Sequence, residues 1–246
     1  MKGIVLAAGY ATRLYPLTLD RPKALLEIAG KPIIDYIVEQ MARIERISEI
    51  IVVTNHKFAA HFTQWQAGVD CGKPVRVLDD KTTSEETRLG AIGDIQFTID
   101  TFGINEDVLI IAGDNFFTFD LGGFARYYDS LGKDCVVAKE LDDTEQLRAF
   151  AVATLDADGR IQHLVEKPEQ PQGSTAIFAA YIYTRETVAR FALYLAQGNK
   201  PDAPGYFVQW LYTQAEVYAY RVDGEIYDIG TKQALDHVNA IMTGRA

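Results

Sequence analysis

Two cysteines and four histidines are all the thiolate and imidazole ligands in this chain of 246 residues. Cys71 and Cys135 stand far apart without a C-x-x-C pair, and His56, His61, His163 and His237 lack zinc spacing. The cysteines read as free thiols in a reducing compartment, not as a disulfide framework. No apolar run approaches the roughly 20 residues of a membrane span. The start, Met1-Lys2-Gly3-Ile4, lacks a signal peptide's long apolar core. A cytoplasmic location without a membrane partner is expected. Basic residues are also scarce: 24 Lys and Arg face 34 Asp and Glu, for a formal net charge of −10. That balance argues against general nucleic-acid binding, which needs a basic surface. It leaves room for a local basic pocket, as an anionic substrate would require. Two phosphate motifs are missing as well: no G-x-x-x-x-G-K-[ST] loop occurs, and no G-x-G-x-x-G fingerprint.

What is present is ordinary in bulk and specific in order. Hydrophobic residues make up 48% and charged residues 24%, the balance of a soluble globular protein. Short β-branched runs at Gly3–Leu6, Ile50–Val53, Val75–Leu78, Val108–Ala112 and Cys135–Ala138 read as buried parallel strands. Helical periodicity falls between them at Ile33–Ile44, Ala59–Ala67, Leu89–Phe102 and Leu121–Leu131. This βαβα rhythm implies a sheet covered by helices on both faces, with ligands beyond the carboxyl ends of the strands.

After Phe150 the pattern changes. Phe150–Leu155 and Arg160–Leu164 read as a hairpin around Asp156-Ala157-Asp158-Gly159, followed by a strand at Ala176–Tyr183. A helix from Arg185 to about Ala196, a loop over Gly198–Pro204, a final hairpin of Val217–Val222 with Glu225–Tyr227, and a closing helix Lys232–Met242 complete the reading. The fold class expected is α/β: a Rossmann-like three-layer αβα sandwich with a mixed, mostly parallel central sheet and a partly antiparallel second half. One domain over 1–246 is expected, with a nucleotide-binding half at 1–149 and a second half at 150–246.

The segment that says most about chemistry follows the first strand: Leu6-Ala7-Ala8-Gly9-Tyr10-Ala11-Thr12-Arg13-Leu14, with Pro22-Lys23 close behind. Small residues leave backbone N–H groups uncovered. Arg13 adds a forked cation and Lys23 a compact one, both suited to phosphate oxygens. The arrangement is one for holding a polyphosphate.

In order along the chain come this segment, then Gly30-Lys31-Pro32, Gly113-Asp114-Asn115, Val165-Glu166-Lys167-Pro168 and Tyr227-Asp228-Ile229-Gly230-Thr231. Together these blocks resemble the signature of the sugar-phosphate nucleotidyltransferases, in particular short glucose-1-phosphate thymidylyltransferase-like members. The resemblance implies joining of a nucleoside triphosphate to a sugar 1-phosphate, with release of pyrophosphate. It implies that Leu6, Ala8, Gly9, Tyr10, Ala11, Thr12, Arg13 and Gly90 bind the nucleotide, and that Arg13, Lys23 and Asp114 act in catalysis. It implies Mg²⁺ held by Asp114 and Asp228, sugar hydroxyls met by Glu166, and the sugar's phosphate met by Lys167; Tyr181 and Tyr183, on one strand face, are candidates to line the sugar pocket. Taken singly, each of these residues also has an ordinary structural reading as a turn residue, cap or surface charge.

Three departures bear on the substrates. Ala11 stands where the family usually has glycine, and Ala151 where a glycine often faces the sugar. The segment Asp80–Ala91 shares little beyond Leu89-Gly90-Ala91 with the family's usual base-binding stretch. UTP or CTP, and a heptose 1-phosphate or phosphocholine as acceptor, therefore stand beside dTTP and glucose 1-phosphate. A catalytically silent nucleotide-sugar sensor is the alternative of another class. Relatives are often homo-oligomers, and nothing in the sequence names an interface.

Overall fold

The computed structural model describes residues 1–244. Its contacts divide the chain into two compact units, each built from separate stretches. The first takes Met1–Leu89, Ile111–Gly122 and the chain from Gly224; the second takes Gly90–Ile110 and Gly123–Asp223. The expected division at residue 149 cuts through the second unit.

In the first unit the strands Lys2–Leu6, Glu49–Thr54 and Val75–Asp79 pair in parallel, with Glu49–Thr54 in the middle. Ile50 to Val53 are fully buried, as expected of a run covered on both sides. The connecting helices are Ile33–Ala42 and His56–Gln66. The first buries Ile33, Ile34, Ile37 and Met41, the face the periodicity picks out. The second starts earlier than expected because Asn55 caps it, its side-chain oxygen accepting from the Phe58 N–H at 3.1 Å. The closing helix Lys232–Met242 has the predicted bounds. Thr231 caps it, and Leu235 and Val238 pack in a core with Leu14, Leu26, Ile28, Ile33, Phe116 and Ile229.

The second unit is mixed. Asp134–Glu140 pairs antiparallel with Thr175–Tyr183 and parallel with Val217–Arg221. Thr175–Tyr183 also pairs with Ala151–Leu155, which forms the expected antiparallel hairpin with Ile161–Glu166. Asp156 accepts the backbone N–H groups of Asp158 and Arg160, so this acidic stretch is the hairpin turn. A helix at Pro204–Leu211, absent from the sequence reading, follows the loop. Proline at its first turn begins it, and Phe207, stacked on Phe191 with ring centroids 3.9 Å apart, anchors it in an aromatic core. The helix expected over Arg185–Ala196 is broken into Arg185–Val188 and Arg190–Ala196.

The expected final hairpin does not form. Val217–Arg221 pairs with Asp134–Glu140 in the second unit, whereas Ile226–Asp228 pairs antiparallel with Asn115–Phe117 in the first. An isolated two-stranded hairpin is marginal. Joining a sheet buries Val217 and Ala219 instead, and Gly224 packs so closely on Phe119 that a Cβ would lie 2.8 Å from its backbone nitrogen. Among the described residues no helix is long and apolar enough to cross a membrane.

Candidate active site

The strand Lys2–Leu6 ends in a loop pinned from several sides. The Ala7 N–H donates to Val53 O at 2.8 Å, and the Gly113 N–H donates to Leu6 O at 2.8 Å. A side chain at Gly113 would be crowded, since a Cβ would sit 3.0 Å from Leu6 O. The fully buried Asn55 donates its amide to Ala8 O at 2.9 Å, tying the loop to the helix it caps. Ala11 then takes a left-handed conformation, φ 50° and ψ 42°. Its carbonyl accepts the Leu14 N–H and the buried Thr18 hydroxyl. That turn buries Leu14 and leaves Arg13 exposed; among the described residues the Arg13 guanidinium has no ion-pair partner.

Lys23 comes from the other side. Pro22 is extended, with φ −66°, and delivers Lys23 into a short 3-10 turn where only 9% of the residue stays exposed. Its ammonium donates to Asp114 Oδ2 at 2.8 Å and to Asp228 Oδ1 at 3.1 Å. The small ribbon explains why those two carboxylates meet. Asp228 lies opposite Asn115 in its register, and the Ile229 N–H donates to Asp114 O at 3.2 Å.

These parts wall a cleft of about 280 Å³. Leu6, Gly9, Tyr10, Ala11, Thr12, Arg13, Lys23 and Asp114 line it, so most of the expected nucleotide residues come together. Ala8 sits behind the wall, 7% exposed. Asp228 reaches the cleft through Lys23 and through Gly230, whose Cβ position lies 3.4 Å from Asp228 Oδ2 and 3.6 Å from an Arg13 nitrogen. Tyr10 is buried, with its hydroxyl 3.4 Å from Thr82 Oγ1, and burial first of all raises its pKa. Gly90 belongs to the other unit: with φ +79° it precedes the helix Ala91–Phe102, and its Cβ position is 2.6 Å from Pro201 O. Its glycine is explained by that close approach.

Glu85 and Arg88 also line the cleft; the sequence places them in the stretch corresponding to the family's base-binding segment but gives them no role, and it does not single out Asn55 behind the cleft. Asn before a helical run is a cap signal, but nothing local says what its amide would hold. No group of three or more His, Cys, Asp or Glu that could hold a metal occurs among the described residues. Asp114 and Asp228 nevertheless converge on one cation, the Lys23 ammonium. Two carboxylates completed by phosphate oxygens suit magnesium.

In the second unit Glu166 ends the strand Ile161–Glu166 and is 9% exposed. Its N–H donates to Gln209 Oε1 at 2.8 Å. Its carboxylate lies over Gly205, where a Cβ would come 1.8 Å from Oε2. Burial raises its pKa, and the Lys167 charge partly opposes this. Among the described residues the carboxylate has no hydrogen-bond partner. Lys167 is exposed with φ 49°, a left-handed turn held by its N–H donating to Phe150 O at 3.1 Å. Tyr181 is buried and stacks on Tyr183 at 5.7 Å; burial, then the Glu166 charge, pushes its phenol well up.

A family model for nucleotidyl transferases matches residues 2–244. The chain belongs to the nucleotidyl transferase family. Relatives include a putative mannose-1-phosphate guanyltransferase of Sulfolobus acidocaldarius, 31% identical over 188 residues, and a UTP–glucose-1-phosphate uridylyltransferase of Haloferax volcanii, 28% identical over 186 residues. Those alignments cover 76% and 75% of this chain. The chain spans about half the length of the Sulfolobus protein, 49%, and 72% of the Haloferax one. Its structure is similar to that of a UDP-glucose pyrophosphorylase solved with UDP-glucose, with TM-score 0.79, 21% identity, and coverage of 100% of this chain and 99% of that one. It is also similar to a putative glucose-1-phosphate thymidylyltransferase from Bacillus anthracis, with TM-score 0.78, 23% identity, and coverage of 98% and 94%. These likenesses establish the family's Rossmann-like α/β fold, with its mixed sheet and flanking helices.

Proposed function

We propose that the protein is a sugar-1-phosphate nucleotidyltransferase. The observation that carries this reading is the bridging of Asp114 and Asp228 by the buried Lys23, in a cleft also lined by a small-residue loop and Arg13. Family relatives named for guanylyl and uridylyl transfer to sugar 1-phosphates support it.

A phosphate oxygen of the sugar 1-phosphate attacks the α-phosphorus of the nucleoside triphosphate. The new P–O bond forms as the bond to the β-phosphate breaks, and the leaving electron pair departs on pyrophosphate. Backbone N–H groups of residues 9–13 and the Arg13 fork hold the triphosphate, and Lys23 offsets the charge that grows at the α-phosphate. Asp114 and Asp228 would hold Mg²⁺, which supplies Lewis-acid charge neutralisation at phosphate oxygens. In the second unit, Glu166 accepts from hydroxyls of the sugar, Tyr181 shapes its surroundings and Lys167 meets the sugar's phosphate. Transfer of this kind depends on positioning and charge, not on a protein nucleophile.

The test is pyrophosphate release from a matrix of nucleoside triphosphates and sugar 1-phosphates with Mg²⁺. Turnover in at least one combination is expected. Silence throughout, with nucleotides still raising the melting temperature, would point instead to a sensor.

A further inference from the structure

Glu85 and Arg88 line the same cleft as the Arg13 loop, yet neither has a task in the transfer step. Glu85 opens the short turn Glu85–Thr87, Arg88 follows it, and the two side chains pair with each other. The turn is held from beneath: Ser84 and Thr87 cap one another, with the Ser84 N–H donating to Thr87 Oγ1 at 3.2 Å. The two charged side chains are 42% and 46% exposed, open to a ligand. An exposed ion pair of this kind contributes at most about 1 kcal/mol to stability. What it offers is a pattern: a carboxylate acceptor directly beside a guanidinium donor, on a constrained turn.

We propose that the Glu85–Arg88 pair reads the nucleobase, and that the base it takes carries an exocyclic amine. This rests on the proposal that the cleft holds a nucleoside triphosphate. Cytosine and adenine place an amine next to a ring acceptor, and guanine places N–H donors next to a carbonyl oxygen. Each gives the carboxylate a donor and the guanidinium an adjacent acceptor, as Glu does with the cytosine amine and Arg with guanine oxygen. Thymine and uracil present one N–H between two carbonyl oxygens. Glu85 meeting that N–H would set its second oxygen against a carbonyl, leaving acceptor facing acceptor. The pair therefore disfavours the dTTP expected from the family resemblance, and UTP among the alternatives.

The experiment is calorimetric titration of the protein with CTP, GTP, ATP, UTP, dTTP and inorganic tripolyphosphate, repeated for CTP, GTP, UTP and dTTP with Glu85→Gln. At least one amine-bearing nucleotide is expected to bind about tenfold or more tightly than UTP and dTTP, the discrimination of one well-placed hydrogen-bonded pair. Glu85→Gln turns one acceptor into a donor and is expected to shrink that ratio to about threefold or less. Tightest binding of dTTP or UTP, or an unchanged ratio in the variant, overturns the base assignment. With tripolyphosphate still bound, that result leaves the phosphate cleft standing. Failure of every nucleotide and of tripolyphosphate to bind overturns both the base assignment and the transferase reading.

Discussion

Lys23 and Asp114, 91 residues apart in the chain, meet with the ammonium 2.8 Å from the carboxylate, and the same ammonium reaches Asp228 at 3.1 Å. One cation thus holds together the two acids best suited to a divalent metal. Lys23→Met leaves those carboxylates facing each other. Because they are 38% and 45% exposed, solvent screens their repulsion, and a stability loss of about 1–2 kcal/mol is expected, less than for a fully buried pair. Turnover is expected to fall by about a hundredfold or more. Mg²⁺ should raise the melting temperature of the variant more than that of the parent, since the carboxylates are no longer shared with an ammonium. Thermal denaturation with and without Mg²⁺ checks this; equal shifts in the two proteins would count against it.

Gly205 makes room for Glu166. A methyl group there would come 1.8 Å from Glu166 Oε2 and 3.2 Å from the Ala151 Cβ. Gly205→Ala is expected to cost about 1–3 kcal/mol through overpacking. It should raise KM for the sugar 1-phosphate about tenfold while KM for the nucleotide stays near its original value, because the displaced carboxylate meets only the acceptor. Steady-state kinetics with each substrate varied in turn distinguish this from a general loss of folding.

Burial holds the Glu166 carboxyl above its ordinary 4.5. The folded chain therefore binds this proton more tightly than the unfolded chain. Between the unfolded and folded pKa values stability declines as pH rises, and above the folded value the loss is complete. Glu166→Gln lacks this decline. The variant's stability relative to the parent should be lowest below the ordinary carboxyl value of 4.5 and climb as pH rises through the folded value. Urea denaturation across that range tests the sign; a relative stability of the variant that falls as pH rises would refute it.

Ala11 sits at φ 50°, a region costing a non-glycine residue about 1–2 kcal/mol. Ala11→Gly relieves that strain but adds freedom to the unfolded chain, so a net gain of up to about 1 kcal/mol is expected. Ala11→Val, β-branched in the same backbone region, should destabilise by more than about 1 kcal/mol. Denaturant midpoints of the two variants, moving in opposite directions, would confirm the loop's strain.

Several elements were readable because their causes are local. The helix Lys232–Met242 has its cap at Thr231 and its apolar period within itself, and its predicted bounds agree with the structure. The strand Val108–Ala112 is likewise a short β-branched run with the expected limits. The site was partly legible for the same reason: Gly9, Arg13 and Lys23 lie close together in sequence, and Asp114 and Asp228 stand in recognisable blocks. Less legible were Glu85 and Arg88. Their segment corresponds in order to the family's base-binding stretch, but its residues depart from the usual pattern, and only packing shows that these two side chains line the cleft. The helix Pro204–Leu211 was hidden too, because its anchor is an aromatic cluster assembled from distant residues.

By itself, the sequence determined which residue types stand at the strand ends, where most helices and strands run, and that the chemistry is phosphate chemistry. These follow from rules acting over a few residues: periodicity, capping, and the conformational freedom of small side chains. Only the tertiary structure decided that Val217–Arg221 and Ile226–Asp228 take separate partners, that Lys23 joins Asp114 to Asp228, and that Gly205 yields its space to Glu166. A strand's pairing energy and a buried charge's neutralisation depend on partners far away in the chain, so no local pattern carries them.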